Sequence, residues 1–442
     1  MKAIIVPGVT DLNKGDQALV WESYRLIEDT KMFNQIFILD SGDTYKEKTL
    51  LCNQSKKKGF PMLNHILPHP RRGRHQNEEH VVESRIKLLS QIGYAIYDFL
   101  SSFLLLSVCN HYSLVKFFFS RKTSSTVKQF KEVDAVFVKG GGFIHTYGEK
   151  TAPYLMWYFL FYVRLAQRLG KKVIFLPNSY GPFDGFTVKK QLRSVLKKID
   201  IIYAREHVSA EKLGNLLDRD IDVEMDLGFF LQNKVTKDIN EILHKYQLSS
   251  DDNIVGVTVR PWRFPGTENP FDLYKNYIDS MVDLIKYITG KGYKVVLCNQ
   301  SLGPNAHEDD RNAIKDVLSK TKNLNVVWLN ENLDCVTLKA VYSNFDFFIG
   351  TRFHSIIFSL TSLVPSMAIA YGGNKANGIM KDFGLDDYVL SIDQLNFQAL
   401  KITFDNLVAQ SDEIKHKLEL AQVHIYNSRK RIIDHIQKLW KN

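Results

Sequence analysis

The chain is short of the features that mark several common protein classes. Four cysteines in 442 residues, Cys52, Cys109, Cys298 and Cys335, lie far apart with no CxxC pair. That argues against a disulfide-stapled scaffold and against a cysteine-ligated zinc domain, and for free thiols in a reducing cytosol. The opening MKAIIVPG enters a strand at once and carries no signal peptide. GxxxxGK[ST] and GxGxxG are absent, so there is neither a P-loop nor a dinucleotide fingerprint. HExxH, carboxylate–histidine metal spacing and GxSxG are absent too, which removes support for a metal hydrolase or a serine esterase, and no metal is expected. Acidic residues are missing between Glu47 and Glu78, where Lys56, Lys57, Lys58, Arg71, Arg72 and Arg74 stand. This stretch reads as a basic loop that is either solvated or faces an anion. Long clean apolar runs are also lacking. The most apolar segment, residues 94–120, is interrupted by Asp98, Asn110, His111 and Lys116. A spanning helix needs roughly 20 mainly apolar residues, so the segment is expected to be amphipathic, packed internally or lying on a membrane face.

What is present is the composition of a folded globular protein, 45% hydrophobic and 24% charged, with a chain length that suits two domains. The net charge of +10 favours anionic partners. No zinc-finger spacing and no single-strand-binding aromatic motif accompanies it, so nucleic acid is not expected as a partner.

Strand and helix patterns alternate along the chain. KAIIVPG, QIFILD, VDAVFVKGGG, KKVIFLPNSYGPF and IDIIYA read as strands of a first series; residues 45–80 read as a long basic loop and 81–130 as mainly helical. NIVGVTVRP, YKVVLCNQS, NVVWLN, FDFFIG and SMAIAYGG make a second series after a polar linker at 231–252. Such alternation predicts an α/β protein with parallel sheets covered by helices. The expected organisation is a first domain over 1–235 with an insertion at about 45–130, a second over 250–405, and a C-terminal helix over 406–442.

In open α/β sheets ligands bind outside the carboxyl ends of strands, so the polar residues after each strand are the candidates. FDFFIGTRFHS places Arg352 and His354 just past a strand at the start of a helix, where an anion meets helix-start amides, a guanidinium and an imidazole. Lys375 follows the next strand on a glycine-rich turn. GVTDLNKGDQAL follows the first strand; Gly15 reads as a tight turn and Asp16 stands where a helix N-cap would be. Gly140, Gly141 and Gly142 follow the strand VDAVFVK, with His145 and Tyr147 beyond, and Arg205 ends the strand IDIIYA. Arg260, Trp262 and Arg263 in TVRPWRF offer a sugar-stacking platform.

The combination NKGDQAL, FVKGGGFI, NSYGPF, AREHVSAEKL, DLGF and GTRFHSIIFSLTSLVPSMAIAYGGNKANGIMKDFGL resembles the polysaccharide pyruvyl transferases, in order from about residue 5 to about residue 390. Residues 45–130 match nothing in that pattern. The resemblance implies two Rossmann-like domains facing across a cleft, in the manner of GT-B glycosyltransferases. It also implies transfer of the enolpyruvyl carbons of phosphoenolpyruvate onto two sugar hydroxyls, giving a cyclic ketal and phosphate. Carried over by motif, Arg205, Arg352, His354 and Lys375 form the phosphoenolpyruvate site, with His354 and Asp16 as the catalytic pair. Asn13, Gly15, Asp16, Gly141, Gly142 and His145 face the acceptor sugar. No cofactor is implied beyond the donor substrate. The acceptor is a polysaccharide or a repeat-unit precursor, free or carried on a polyprenyl diphosphate, with galactose as a candidate sugar. Location is expected in the cytoplasm, with peripheral contact to the inner membrane face as an option. Two rivals stand beside this reading. A GT-B nucleotide-sugar glycosyltransferase often grips its donor with a glutamate in the second domain, yet no Glu occurs between Glu331 and Glu413. A non-catalytic component of a capsule-assembly complex would not need to keep Arg352, His354 and Lys375.

Overall fold

Short runs of aliphatic and aromatic residues, buried on both faces, build two parallel sheets. The computed structural model describes residues 1–70, 85–233, 238–249, 251–303, 306–371 and 375–441, with the side chains of 85–89 and 375–377 outside the description. The first sheet contains β1 (Lys2–Val6), β2 (Gln35–Leu39), β3 (Met62–Leu63), β4 (Ala135–Val138), β5 (Gly141–Tyr147), β6 (Lys172–Asp184), β7 (Ile201–Ala204) and β8 (Asp222–Val223). Its order is β3-β2-β1-β4-β6-β7-β8, and β5 pairs along the far end of β6. Between these strands run α1 (Lys14–Asp29), α2 (Tyr45–Lys57), α3 (Arg85–Val108), α4 (Tyr112–Phe118), α5 (Arg121–Glu132), α6 (Ala152–Arg168), α7 (Val188–Leu196) and α8 (His207–Leu217), followed by α9 (Ile239–Lys245).

The second sheet has β9 (Ile254–Thr258), β10 (Lys294–Cys298), β11 (Val326–Leu329), β12 (Phe347–Gly350), β13 (Ser366–Ala370) and β14 (Val389–Ser391) in the order β11-β10-β9-β12-β13-β14. Its helices are α10 (Pro270–Gly290), α11 (Asp310–Lys320), α12 (Cys335–Tyr342), α13 (Phe353–Leu360), α14 (Lys375–Asp382), α15 (Phe397–Ala409) and α16 (Ser411–Lys438). Within each sheet the strand order reverses beside the first strand, the doubly wound pattern of a Rossmann-like domain. The crevices that this topology opens for ligands lie at the ends of β1 and β4 in one domain and of β9 and β12 in the other.

The domains share a core. One buried cluster runs from Ile5 and Phe137 of the first sheet through Leu19 and Leu26 of α1 to Val257 and Ile349 of the second sheet and Ile432 of α16. The opposite face of the first sheet is covered separately by residues of α5, α6 and α7, including Phe130, Phe161 and Leu192. At the domain junction, a short antiparallel bridge joins Asn13 to Ser301, flanked by Lys14 N–H on Gln300 O (3.0 Å) and Leu302 N–H on Leu12 O (2.9 Å). The last helix, α16, returns to the first domain: Arg431 grips Glu224 with Nε and Nη2 (2.6 and 2.8 Å), and Tyr203 Oη lies 2.8 Å from His435 Nδ1.

Two local expectations are corrected. Residues 45–57 are helix, not loop: Thr44 and Glu47 form a reciprocal capping box, which starts a helix even where the sequence that follows is polar. Arg71, Arg72 and Arg74 of the expected basic loop lie outside the described residues. The linker at 231–252 contains α9, started by Asp238, whose side chain accepts from Asn240 N–H. Of the glycines after β4, Gly141 opens β5 with φ +146°, a conformation that side chains disfavour.

Candidate functional site

The site forms where the ends of β1 and β4 meet the ends of β9 and β12. Asn13, not Asp16, caps α1: its Oδ1 accepts from Gly15 N–H (3.0 Å) and Asp16 N–H (3.3 Å). That corrects the capping expectation and leaves the Asp16 carboxylate, in the first turn, with Lys139 Nζ 3.5 Å away. Asn13 itself is committed to the cap and to the bridge with Ser301. Gly15 is helical, so it does not serve a turn. A Cβ there would fall 2.2 Å from His354 Nδ1 of the other domain. Only glycine lets the two domains approach this closely.

His354 stands in the first turn of α13, next to Asp226, with Nε2 3.6 Å from Asp226 Oδ1. Asp226 is fully buried; its Oδ1 accepts from Gly228 N–H (2.8 Å) and its Oδ2 from Arg205 Nη1. Burial works against the charged form, but Arg205, His354 and the Gly228 amide outweigh it and hold this carboxyl well below the usual range. Arg205 also donates from Nε to Ser179 Oγ (2.7 Å) and lies over the Phe353 ring at 4.9 Å. Arg205 and His354 are therefore brought together around one carboxylate.

Arg352, the N-cap residue of α13, donates from Nε (2.8 Å) and Nη2 (2.6 Å) to Asp310 Oδ1. Asp310 Oδ2 accepts from Gln300 N–H (3.0 Å) and Ser301 N–H (2.8 Å). Burial pushes the Asp310 carboxyl up against the pull of Arg352. The loop bound to Asp310 is the one that bridges to Asn13, so Arg352 and Asp16 hang on one continuous hydrogen-bonded path across the junction. Beside Arg352 is Arg260, at the end of β9, also buried, with its guanidinium 3.9 Å from the Tyr371 ring centre and 4.7 Å from that of Trp262. The Arg260 Nε is buried without a hydrogen-bond partner, which marks a place for an acceptor atom. Arg260 thus occupies a face of Trp262, and the tryptophan acts as its support more than as a free sugar platform. Arg352, Phe353 and Tyr371 line a cavity of about 100 Å³. Lys375 begins α14 just beyond Tyr371; its side chain lies outside the described residues.

On the first-domain side a larger cavity, about 470 Å³, is lined by Asp16, Lys139, Gly142, Phe143 and His145 together with Asp40, Asp43, His65, His69 and Tyr158. Gly141 is buried and does not line it. His65 is held between two carboxylates, Nδ1 2.8 Å from Asp40 Oδ1 and Nε2 3.1 Å from Asp43 Oδ1. Burial lowers its pKa, but the two aspartates overcome this and raise it. Sequence reasoning gave no role to His65, Asp40, Lys139, Asp226 or Asp310. Asp40 follows β2 and Asp226 follows β8, so the strand-end rule could have found both. His65 and Asp310 are recognisable only by their partners.

A family model described as polysaccharide pyruvyl transferase matches residues 13–373. The amylovoran biosynthesis protein AmsJ of Erwinia amylovora is 23% identical over 307 residues, 66% of this chain and 69% of that protein. In three dimensions the chain is similar to a glycosyltransferase from Rickettsia africae, with a TM-score of 0.56 at 13% identity over 100% of this chain and 98% of that one. It is also similar to the UDP-GlcNAc 2-epimerase of Neisseria meningitidis, with a TM-score of 0.57 at 11% identity over 99% and 100%. At such identities the structural likeness speaks to the fold: two Rossmann-like domains of GT-B type.

Proposed function

The chain belongs to the polysaccharide pyruvyl transferase family, and from that premise we propose that it transfers pyruvate from phosphoenolpyruvate to two hydroxyls of a sugar in an exopolysaccharide or its precursor, releasing phosphate. What carries the reading is the pair Arg260 and Arg352 at the ends of β9 and β12, the switch point of the second sheet, with His354 two residues on. Of these, Arg352 lines a cavity of about 100 Å³, whose other walls include Phe353, Ile356 and Tyr371. Pockets for larger ligands run to several hundred Å³. Phosphoenolpyruvate brings a carboxylate and a phosphate on one short frame, and two guanidiniums can each meet an oxyanion in a fixed plane. Lys375 and Arg205 complete the proposed donor set.

In the proposed sequence a sugar hydroxyl oxygen bonds to C2 of the donor while C3 takes a proton from His354. Asp16 accepts the hydroxyl proton. The phosphate then leaves with its C2–O bond electrons and takes up the proton held by Asp16, and the second hydroxyl bonds to the resulting cation and gives its proton to His354, restoring the imidazolium. Asp226, buried and ionised, stabilises the imidazolium that the first step requires. The acceptor is assigned to the 470 Å³ cavity of the first domain, where Asp16 adjoins the Gly15–His354 contact. Galactosides are the first acceptors to test.

The experiment mixes purified protein, phosphoenolpyruvate and a panel of aryl and lipid-linked glycosides, and follows phosphate release and product mass. A product heavier by the ketal is expected. His354→Ala should lower kcat by roughly 10²–10⁴, and Arg352→Ala or Arg260→Ala should raise KM for the donor. Absence of any phosphoenolpyruvate binding, with binding of a nucleotide sugar instead, would overturn the donor assignment.

A further inference from the structure

The helix α3 turns a large apolar face to the outside while burying Leu105 and Leu106 on its inner side. Two of its polar residues, Asp98 and Ser102, one turn apart, are buried against α6: Tyr154 Oη lies 3.2 Å from Asp98 Oδ2, and Trp157 Nε1 donates to Ser102 Oγ at 2.9 Å. The residues turned outward are Ile96 (56% exposed), Tyr97 (69%), Leu100 (59%) and Phe103 (55%). The next helix, α4, extends this surface with Phe117 (80%) and Phe118 (52%). The stretch Ser90–Val108 is long and apolar enough to cross a membrane by length and composition, yet its inner face is fastened to the domain by the Asp98 and Ser102 bonds. Lying flat fits that fastening and crossing does not.

Charge indicates what covers the face. Residues 85–132 carry seven basic side chains and two acidic ones, Asp98 and Glu132; Asp98 is buried. Lys116, Arg121 and Lys122 are exposed and lie on α4 or directly after it, alongside the aromatic cluster. An exposed apolar face flanked at one end by exposed cations is the make-up of a surface that meets anionic headgroups and the outermost hydrocarbon. A groove of about 510 Å³, lined by Tyr97, Leu100, Leu104, Phe118 and Leu67, opens on the same surface. Leu67 also lines the 470 Å³ cavity assigned to the acceptor. Its backbone N–H, with that of Ile66, is held by Tyr162 Oη (3.3 and 2.7 Å), another residue of that cavity.

We propose that the outer face of α3 and α4 is a docking surface for an anionic lipid bilayer, and that it sets the mouth of the acceptor cavity at the membrane plane. The docking rests on the exposed face alone, while its use for delivering acceptor rests on the function proposed above.

The test is co-sedimentation of the full chain with vesicles containing phosphatidylglycerol and with vesicles of phosphatidylcholine alone. Binding is expected to the first, to be weakened by salt, and to fall at least tenfold in Phe103→Glu/Phe117→Glu and in Lys116→Glu/Arg121→Glu. Both variants should keep the wild-type circular dichroism and the wild-type turnover on soluble glycosides. Undiminished vesicle binding in both variants overturns the proposal. So does a stable dimer that dissociates in Phe103→Glu/Phe117→Glu without any vesicle binding, because it makes the face an interface between copies. Vesicle binding with no turnover on any glycoside would leave the docking surface standing and sink the catalytic reading, so the two failures are separable.

Discussion

At the scale of single residues the site is governed by close approach. Gly15 and His354 belong to different domains, and a methyl group on Gly15 would overlap the imidazole at 2.2 Å from Nδ1. Overpacking of this kind costs about 1–3 kcal/mol when neighbours shift to relieve it. Here the neighbour able to shift is the proposed general acid. Gly15→Ala is therefore expected to fold, with Tm lowered by a few degrees, and to lose at least tenfold in kcat through misplacement of His354. Gly290→Ala, where nothing lies within 4 Å of the added Cβ, serves as the matched control and should leave turnover unchanged. Equal kcat in Gly15→Ala and wild type would show that His354 keeps its geometry despite the clash, and would remove the reason given for a glycine here.

At the scale of elements, α1 does the most joining, because its residues face both domains. Glu22 on α1 is buried beside Arg25 (Oε2 to Nη2 2.6 Å), and burial raises its carboxyl to about 7 against the pull of Arg25, Arg429 and Lys339. A carboxyl with a folded value above its unfolded one, 4.5, holds its proton longer in the native state. Stability therefore falls as pH rises from about 4.5 to about 7 and then levels off. Melting curves across that window should show the decline in wild type and a flatter profile in Glu22→Gln; an unchanged slope in the variant would place the pH dependence elsewhere. The identity of such elements was largely legible in the sequence, because the apolar strands KAIIV, AVFV, IVGVT and FFIG are short, buried on both faces and alternate with helical periodicity. The helix α2 escaped that reading because a capping box and three scattered buried residues, Glu47, Cys52 and Ser55, define it instead of an apolar stripe. The site was half legible for a related reason. Strand ends pointed to Arg205, Arg352, His354 and Asp16. The carboxylates that hold the two arginines, Asp226 before a short helical turn and Asp310 at the start of α11, have roles that depend on contacts across 21 and 42 residues.

At the scale of the whole molecule, the question is whether the two domains behave as separate bodies. Three features tie them together: the Asn13–Ser301 bridge, the buried cluster that passes through both sheets, and α16, which leaves the second domain to pack on the first. Lys14 strengthens the junction; its Nζ donates to Asp11 O and to Asn332 Oδ1 of the second domain (each 2.5 Å), and burial lowers its pKa to about 8. A substrate path that requires the domains to swing apart would break all of these at once. Entry from the side, through the Asp16–His65 cavity, breaks none. The same ties predict how the chain unfolds. Ile432 of α16 is fully buried, and Ile432→Ala should cost about 2–5 kcal/mol. Because the shared core transmits that loss, both domains should melt together and at the same lowered temperature. Fluorescence can follow each domain separately in chains that retain only Trp157, on α6, or only Trp328, on β11. Coincident transitions shifted equally by Ile432→Ala establish one cooperative unit. A shift confined to the Trp157 signal would mean that the domains unfold independently, and domain opening would return as the route by which substrates reach His354.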